Sequence, residues 1–116
     1  MRGDELRVVD AFCAWLASEG WTCEREVEFV DVLATRTGER LYVEAKGRTA
    51  AIGLDVDTMY GQILRRMPIG AEDGSRFAVV VPTEAVAAAL RIPARVRELL
   101  RIEVYEVTLE GDVQRR

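Results

Sequence analysis

The sequence predicts an α/β sandwich with a mixed central sheet, and three observations predict it. Val30–Arg36 and residues 41–46 are two apolar β-type runs flanking Thr37-Gly38-Glu39, which reads as a hairpin loop. Residues 77–81 form an unbroken, β-branched run closed by Pro82, the pattern of a buried central strand. Two stretches of helical period, residues 4–18 and 55–67, stand before the hairpin and between it and the buried run.

The first helix carries Val9, Phe12 and Leu16 on one stripe, broadened by Leu6, Cys13 and Trp15, and Gly20 stops it. One turn back from Val9, Glu5 falls on the same stripe. Such a carboxylate can look into a site, or it can simply answer the dipole of the first helical turn. Residues 21–28 alternate loosely as a first strand. No Gly, Pro or Asn marks the turn that follows, so the bend lies somewhere within 26–28. Glu24, Glu26 and Glu28 read as a solvated strand face.

After the hairpin, residues 47–53 form a loop, and a helix runs from Asp55 or Asp57, either of which can cap it, to Met67. Pro68 and Gly70 end it. Met59, Ile63 and Met67 share a stripe with Tyr60 and Leu64 beside it, while Thr58, Gln62, Arg65 and Arg66 lie opposite. Gly61 reads as a point of close packing on the sheet. A polar loop over 71–75 leads to the buried strand. Thr83 then caps a helix to about Leu90, Pro93 starts another to Leu100, and residues 102–109 alternate as a last strand. The order is αβββαβαβ.

The 116 residues make one domain, 1–116, with 49% apolar and 31% charged residues, an ordinary globular balance. No apolar run reaches membrane-spanning length and the N-terminus has no signal-peptide core, so a cytoplasmic location is expected. Cys13 and Cys23 lack metal-ligand spacing and read as buried free thiols. The absence of histidine excludes Ser-His and Cys-His catalysis. A net charge of −4 argues against strong non-specific binding of nucleic acid. Positive charge would have to be local, from Arg36, Arg40, Lys46, Arg48, Arg65 and Arg66.

Strand side chains alternate with period two, so Glu44 and Lys46 point to one face, and Asp31 can reach it across the hairpin. Two carboxylates and an ammonium at one point suit a divalent cation and an activated water. Without histidine the ligands must be oxygen, which favours Mg²⁺ or Mn²⁺ over zinc. The chain has 15 arginines and a single lysine, Lys46, at the one position where a compact ammonium differs usefully from a guanidinium.

Asp31, a hairpin and then Glu44-Ala45-Lys46 resemble the signature of the PD-(D/E)XK, or restriction-endonuclease-like, nucleases. The spacing is also similar to that of the archaeal Holliday junction resolvases. Val30 stands where the family name has proline, at a position that varies. The resemblance spans about residues 4–82, the αβββαβ core, with one αβ unit added. It implies a restriction endonuclease-like α/β/α sandwich with metal-dependent hydrolysis of phosphodiester bonds. Asp31 and Glu44 would hold one or two Mg²⁺ (or Mn²⁺) ions, with the Ala45 carbonyl as a further ligand and Lys46 positioning the water. It further implies a metal-site role for Glu5, the first-helix acid, and for Gln62 near the metal or phosphates. Arg48, Arg65 and Arg66 would meet nucleic acid, DNA ahead of RNA. For the two helical arginines a plain solvated face stands slightly ahead of that role. With no recognition domain, a homodimer or a partner protein is expected. Two other readings stand beside the nuclease: a module that kept the fold and lost the chemistry, which the acidic charge favours, and an interaction protein with an exposed Glu44–Lys46 pair.

Overall fold

The first amphipathic stretch folds as α1, Gly3–Ser18, which buries Val8, Val9, Phe12, Cys13 and Leu16. Leu6, expected on that stripe, is exposed. The computed structural model describes residues 3–67 and 74–116. Behind α1 comes an antiparallel meander of β1 (Thr22–Val27), β2 (Val30–Arg36) and β3 (Glu39–Ala45). The unmarked β1–β2 bend is a two-residue turn, with Val27 opposite Val30. Glu28 and Phe29 within it take φ of 51° and 64°, and Glu26 before it takes 54°. Paired positive φ values match the twist of the flanking strands, but such turns normally use Asn or Gly. The residue types at 28 and 29 therefore carry no sign of the turn. At the other end, Arg36 already pairs with Glu39, so the β2–β3 loop is Thr37-Gly38 and Glu39 belongs to the strand.

Helix α2 spans Ile52–Arg66, starting before the expected aspartates. Its cap residue, Ala51, makes no side-chain bond. Asp55 instead accepts the Thr49 hydroxyl from within the first turn, so neither Asp55 nor Asp57 is the cap. Met59, Tyr60 and Ile63 are buried as expected, while Leu64 is exposed. A Cβ on Gly61 would meet only Arg65 Nη1 at 3.5 Å, so this glycine does not mark close packing. Pro68, Gly70 and the loop residues 71–73 lie outside the described residues.

β4 (Arg76–Pro82) pairs parallel with both β3 and β5 (Ile102–Val107). Its side chains from Phe77 onward are buried on both faces, as expected of a central strand. Thr83–Ala85 is a 3₁₀ turn rather than a capped helix start; the Thr83 hydroxyl donates to Glu106 at 2.6 Å. Short helices α3 (Val86–Ala89) and α4 (Ala94–Leu100) complete the crossover. β6 (Val113–Arg115) adds an antiparallel edge after β5, where residues 102–109 were expected to be the last strand.

Among the described residues the sheet has six strands in the order β1-β2-β3-β4-β5-β6. One face packs α1 residues Val8, Val9, Phe12 and Leu16 against Val32, Val43, Ala78 and Val80. The other packs α2 residues Val56, Met59 and Ile63, and Ala89 of α3, against Leu33, Tyr42, Val79 and Val104. Both parallel crossovers therefore cover the same face, as crossovers of one hand must. The result is the expected α/β/α sandwich on a mixed sheet. Cys13 is buried and Cys23 half-buried, and both are free.

Candidate functional site

The register Leu33↔Tyr42, Val32↔Val43 sets Asp31 opposite Glu44 at the next step. Period two puts both on the α2 face, beyond Leu33 and Tyr42. The main-chain ladder stops there: the Ala45 amide donates to Asp31 Oδ2 at 2.8 Å instead of to a backbone carbonyl. The sheet thus opens at this point, and a carboxylate replaces the missing strand partner. On the other edge, the Lys46 amide donates to Val80 at 3.0 Å, keeping Lys46 in strand geometry just past β3. Adjacent peptide groups of a strand point to opposite edges, so the Ala45 carbonyl shares the Asp31 side.

Glu44 is 5% exposed and stands within hydrogen-bonding reach of Asp31. Burial first, then the charge of Asp31 beside it, push its carboxyl up to about 8, against the pull of Arg66 and Lys46. Glu5 is half-buried, and burial followed by the charge of Asp31 raises its carboxyl as well, with Lys46 opposing. Asp31, Glu44, Lys46 and Glu5 therefore share one electrostatic neighbourhood, fed by three separate elements.

Glu5 arrives there through a close backbone contact. A Cβ on Gly47 would lie 2.2 Å from the Glu5 nitrogen, 2.5 Å from the Asp4 carbonyl carbon and 2.8 Å from the Glu5 Cα. Only glycine lets the first turn of α1 sit on the end of β3. Asp4 fastens the contact: its Oδ2 accepts the Arg48 amide at 2.6 Å, and its Oδ1 is held by Arg7 Nε at 2.7 Å. A cavity of about 550 Å³ opens here, lined by Glu5, Lys46, Gly47, Arg48, Thr49 and Asp55 among others.

The remaining sequence candidates divide. Arg66 belongs to the site: its charge acts on Glu44, its Nε donates to the Phe29 carbonyl at 3.1 Å, and its guanidinium lies 5.1 Å from the Phe29 ring centre. Gln62 is half-buried one helical turn earlier, and Arg65 is exposed beside Arg66. Arg48 lines the cavity, with its guanidinium 3.6 Å from Glu84. Arg36 and Arg40 are not near the site. Arg36 sits at the far end of β2, roughly 16 Å along the strand from Asp31. There it pairs with Glu39 at 2.6 Å and covers Trp21 at 4.2 Å. Arg40 donates to the Tyr42 hydroxyl at 3.3 Å. Sequence reasoning missed Gly47, Asp4 and Phe29. The available signals were a glycine directly after Glu-x-Lys and a lone aromatic in an acidic run.

The donor set fits a hard cation: two carboxylates and a peptide carbonyl, all oxygen. Among the described residues no group of three or more Asp, Glu, Cys or His side chains is arranged to hold a metal. Magnesium commonly uses one or two carboxylates and fills its remaining positions with water and substrate phosphate, so a two-carboxylate site suffices for it.

No family model matches the chain, and no curated protein matches it. Solved structures share its fold, and two of them are similar over nearly the whole chain. One is an XisH family protein from Nostoc punctiforme, 19% identical, with a TM-score of 0.63 over 94% of this chain and 98% of that one. The other is a fdxN element excision controlling factor protein from Anabaena variabilis, 20% identical, with a TM-score of 0.62 over 94% of this chain and 97% of that one. At these identities the likeness is one of fold.

Proposed function

We propose that the chain is a metal-dependent nuclease of the PD-(D/E)XK type that hydrolyses phosphodiester bonds in DNA. The observation that carries this reading is the Asp31–Glu44 pair. Two carboxyl groups are pressed together where the sheet opens, and burial followed by the charge of Asp31 raises the Glu44 carboxyl far above its ordinary range, an arrangement that a divalent cation would relieve. Asp31, Glu44 and the Ala45 carbonyl would hold Mg²⁺ or Mn²⁺. The bound ion would supply a water of lowered pKa and positive charge for the reacting phosphate. Lys46, on the same face, would orient that water and share the charge that develops. Glu5 would join the metal site from α1, and Arg66 and Gln62 would meet the phosphates from α2. The Anabaena neighbour is named for control of element excision, which supports DNA as the substrate.

A second reading, a binding module of the same fold, is favoured by the absence of a three-acid cluster among the described residues and by the net charge of −4. Melting temperature with and without Mn²⁺ separates the two. In the nuclease, Mn²⁺ raises the melting temperature of the wild type, and Asp31→Ala and Glu44→Ala each remove that rise while remaining folded. If both variants keep the wild-type rise, the ion binds elsewhere and the nuclease reading fails.

A further inference from the structure

Phe29 is 82% exposed, the most exposed of the large apolar side chains among the described residues, and it stands two residues before Asp31. It occupies a turn that a bulky residue rarely accepts, at φ 64° beside Glu28 at φ 51°. Strained non-glycine positions of this kind persist where the surroundings over-determine them, and they gather at ligand sites. Here the surrounding is Arg66, which holds the Phe29 carbonyl at 3.1 Å and covers one side of the ring at 5.1 Å. The ring is thus fixed in direction, with its other side open to solvent.

We propose that Phe29 is a stacking platform for an unpaired nucleobase, and that the substrate presents a single-stranded segment to the site. This rests on the nuclease reading and narrows its substrate class. Base–aromatic stacking needs a free base face, which an unpaired nucleotide offers at every position and a duplex only at its two ends. The cations lie where such a strand would need them: Arg66 stands against the ring, and exposed Arg65 is beside it on α2, available to the one backbone that carries the base. Contact with a second copy of this chain would also cover the ring, and the experiment below tells the two apart.

The experiment measures fluorescence anisotropy of a labelled single-stranded oligonucleotide and of a blunt duplex of equal length, with Ca²⁺ replacing Mg²⁺. Phe29→Ala, Phe29→Leu and Phe29→Trp are compared with the wild type; the side chain is exposed, so all three should fold. The wild type should prefer the single strand, Phe29→Ala and Phe29→Leu should lose about tenfold in affinity for it, and Phe29→Trp should retain it. Unchanged affinity in Phe29→Ala, or leucine serving as well as tryptophan, overturns the proposal. So does a dimer that Phe29→Ala splits without weakening the strand. Cleavage assays in Mg²⁺ keep the two claims apart. Ring-dependent binding without cleavage upholds the platform and sinks the hydrolysis, and cleavage of single strands indifferent to Phe29→Ala does the reverse.

Discussion

At Lys46 the exchange of one cation for another is informative. The ammonium sits half-buried beyond the end of β3, where its charge opposes the rise of both Glu5 and Glu44. A general electrostatic role would survive Lys46→Arg, because the charge is kept. A role in holding one water would not, because a guanidinium is wide, planar and differently hydrated. Lys46→Arg is therefore expected to lose about 10²-fold or more in cleavage rate while keeping the Mn²⁺ melting shift. An arginine variant as active as wild type removes Lys46 from the mechanism. Glu44 makes a second test at the same scale, through pH. Its folded value of about 8 lies above the ordinary 4.5. The stabilisation that its protonated form contributes is complete below about 4.5 and fades as pH rises through 8. The metal-free protein should therefore melt at progressively lower temperature across that window. Glu44→Gln should flatten the decline, and Mn²⁺, which binds the ionised form, should oppose it. Equal slopes in wild type and Glu44→Gln would show that the pair is not the source.

At the scale of elements, two glycines give opposite expectations. Gly47 has no room for a Cβ, since the backbone of Asp4 and Glu5 lies 2.2 to 2.8 Å from where it would be. Gly47→Ala must push α1 off the end of β3, at a cost of roughly 1–3 kcal/mol. It should also weaken Mn²⁺ binding if Glu5 serves the site. Gly61→Ala, on an open helical surface, should stabilise by roughly 0.5–1 kcal/mol. Denaturant melts of both variants check the pair; the same sign for both would contradict the packing described. The contrast also shows what could be read in the sequence. Period two alone puts Glu44 and Lys46 on one face, and a hairpin of matched strands brings Asp31 opposite. Those are local rules, and the sandwich and its order follow from them. The Gly47 contact joins residues more than forty positions apart, so nothing local announces it, and a mid-helix glycine looked the better packing signal. The β1–β2 turn stayed hidden because Glu28 and Phe29 adopt a conformation that their residue types disfavour. Helix α2 begins without a side-chain cap, and β6 is too short, with Val113 its one apolar residue, to show a period.

For the whole molecule, charge sets the terms on which it can hold nucleic acid. A net charge of −4 gives the chain no overall attraction for phosphate, and no helix among the described residues is long and apolar enough to cross a membrane. On the proposed reading, binding comes from the cations at the site, Arg48, Arg65 and Arg66, with stacking supplying what charge does not. One chain carries one such site. Cutting both strands of a duplex would take two sites related by symmetry, the homodimer expected from the sequence. A single strand needs one. Counterion release turns this into a slope. Three phosphate contacts on a single strand give log K against log salt a slope of about −2, while two copies clamping a duplex through six would give about −5. The single-strand reading therefore expects the shallow slope, flattened further in an Arg65→Ala, Arg66→Ala double variant. It also expects appreciable binding to persist at physiological salt, because stacking is not screened. Titrations across salt concentrations, with sedimentation of the same samples, measure both quantities. A slope near −5 on duplex, with a dimer in solution, would shift the substrate to double strands and leave Phe29 without its assigned role.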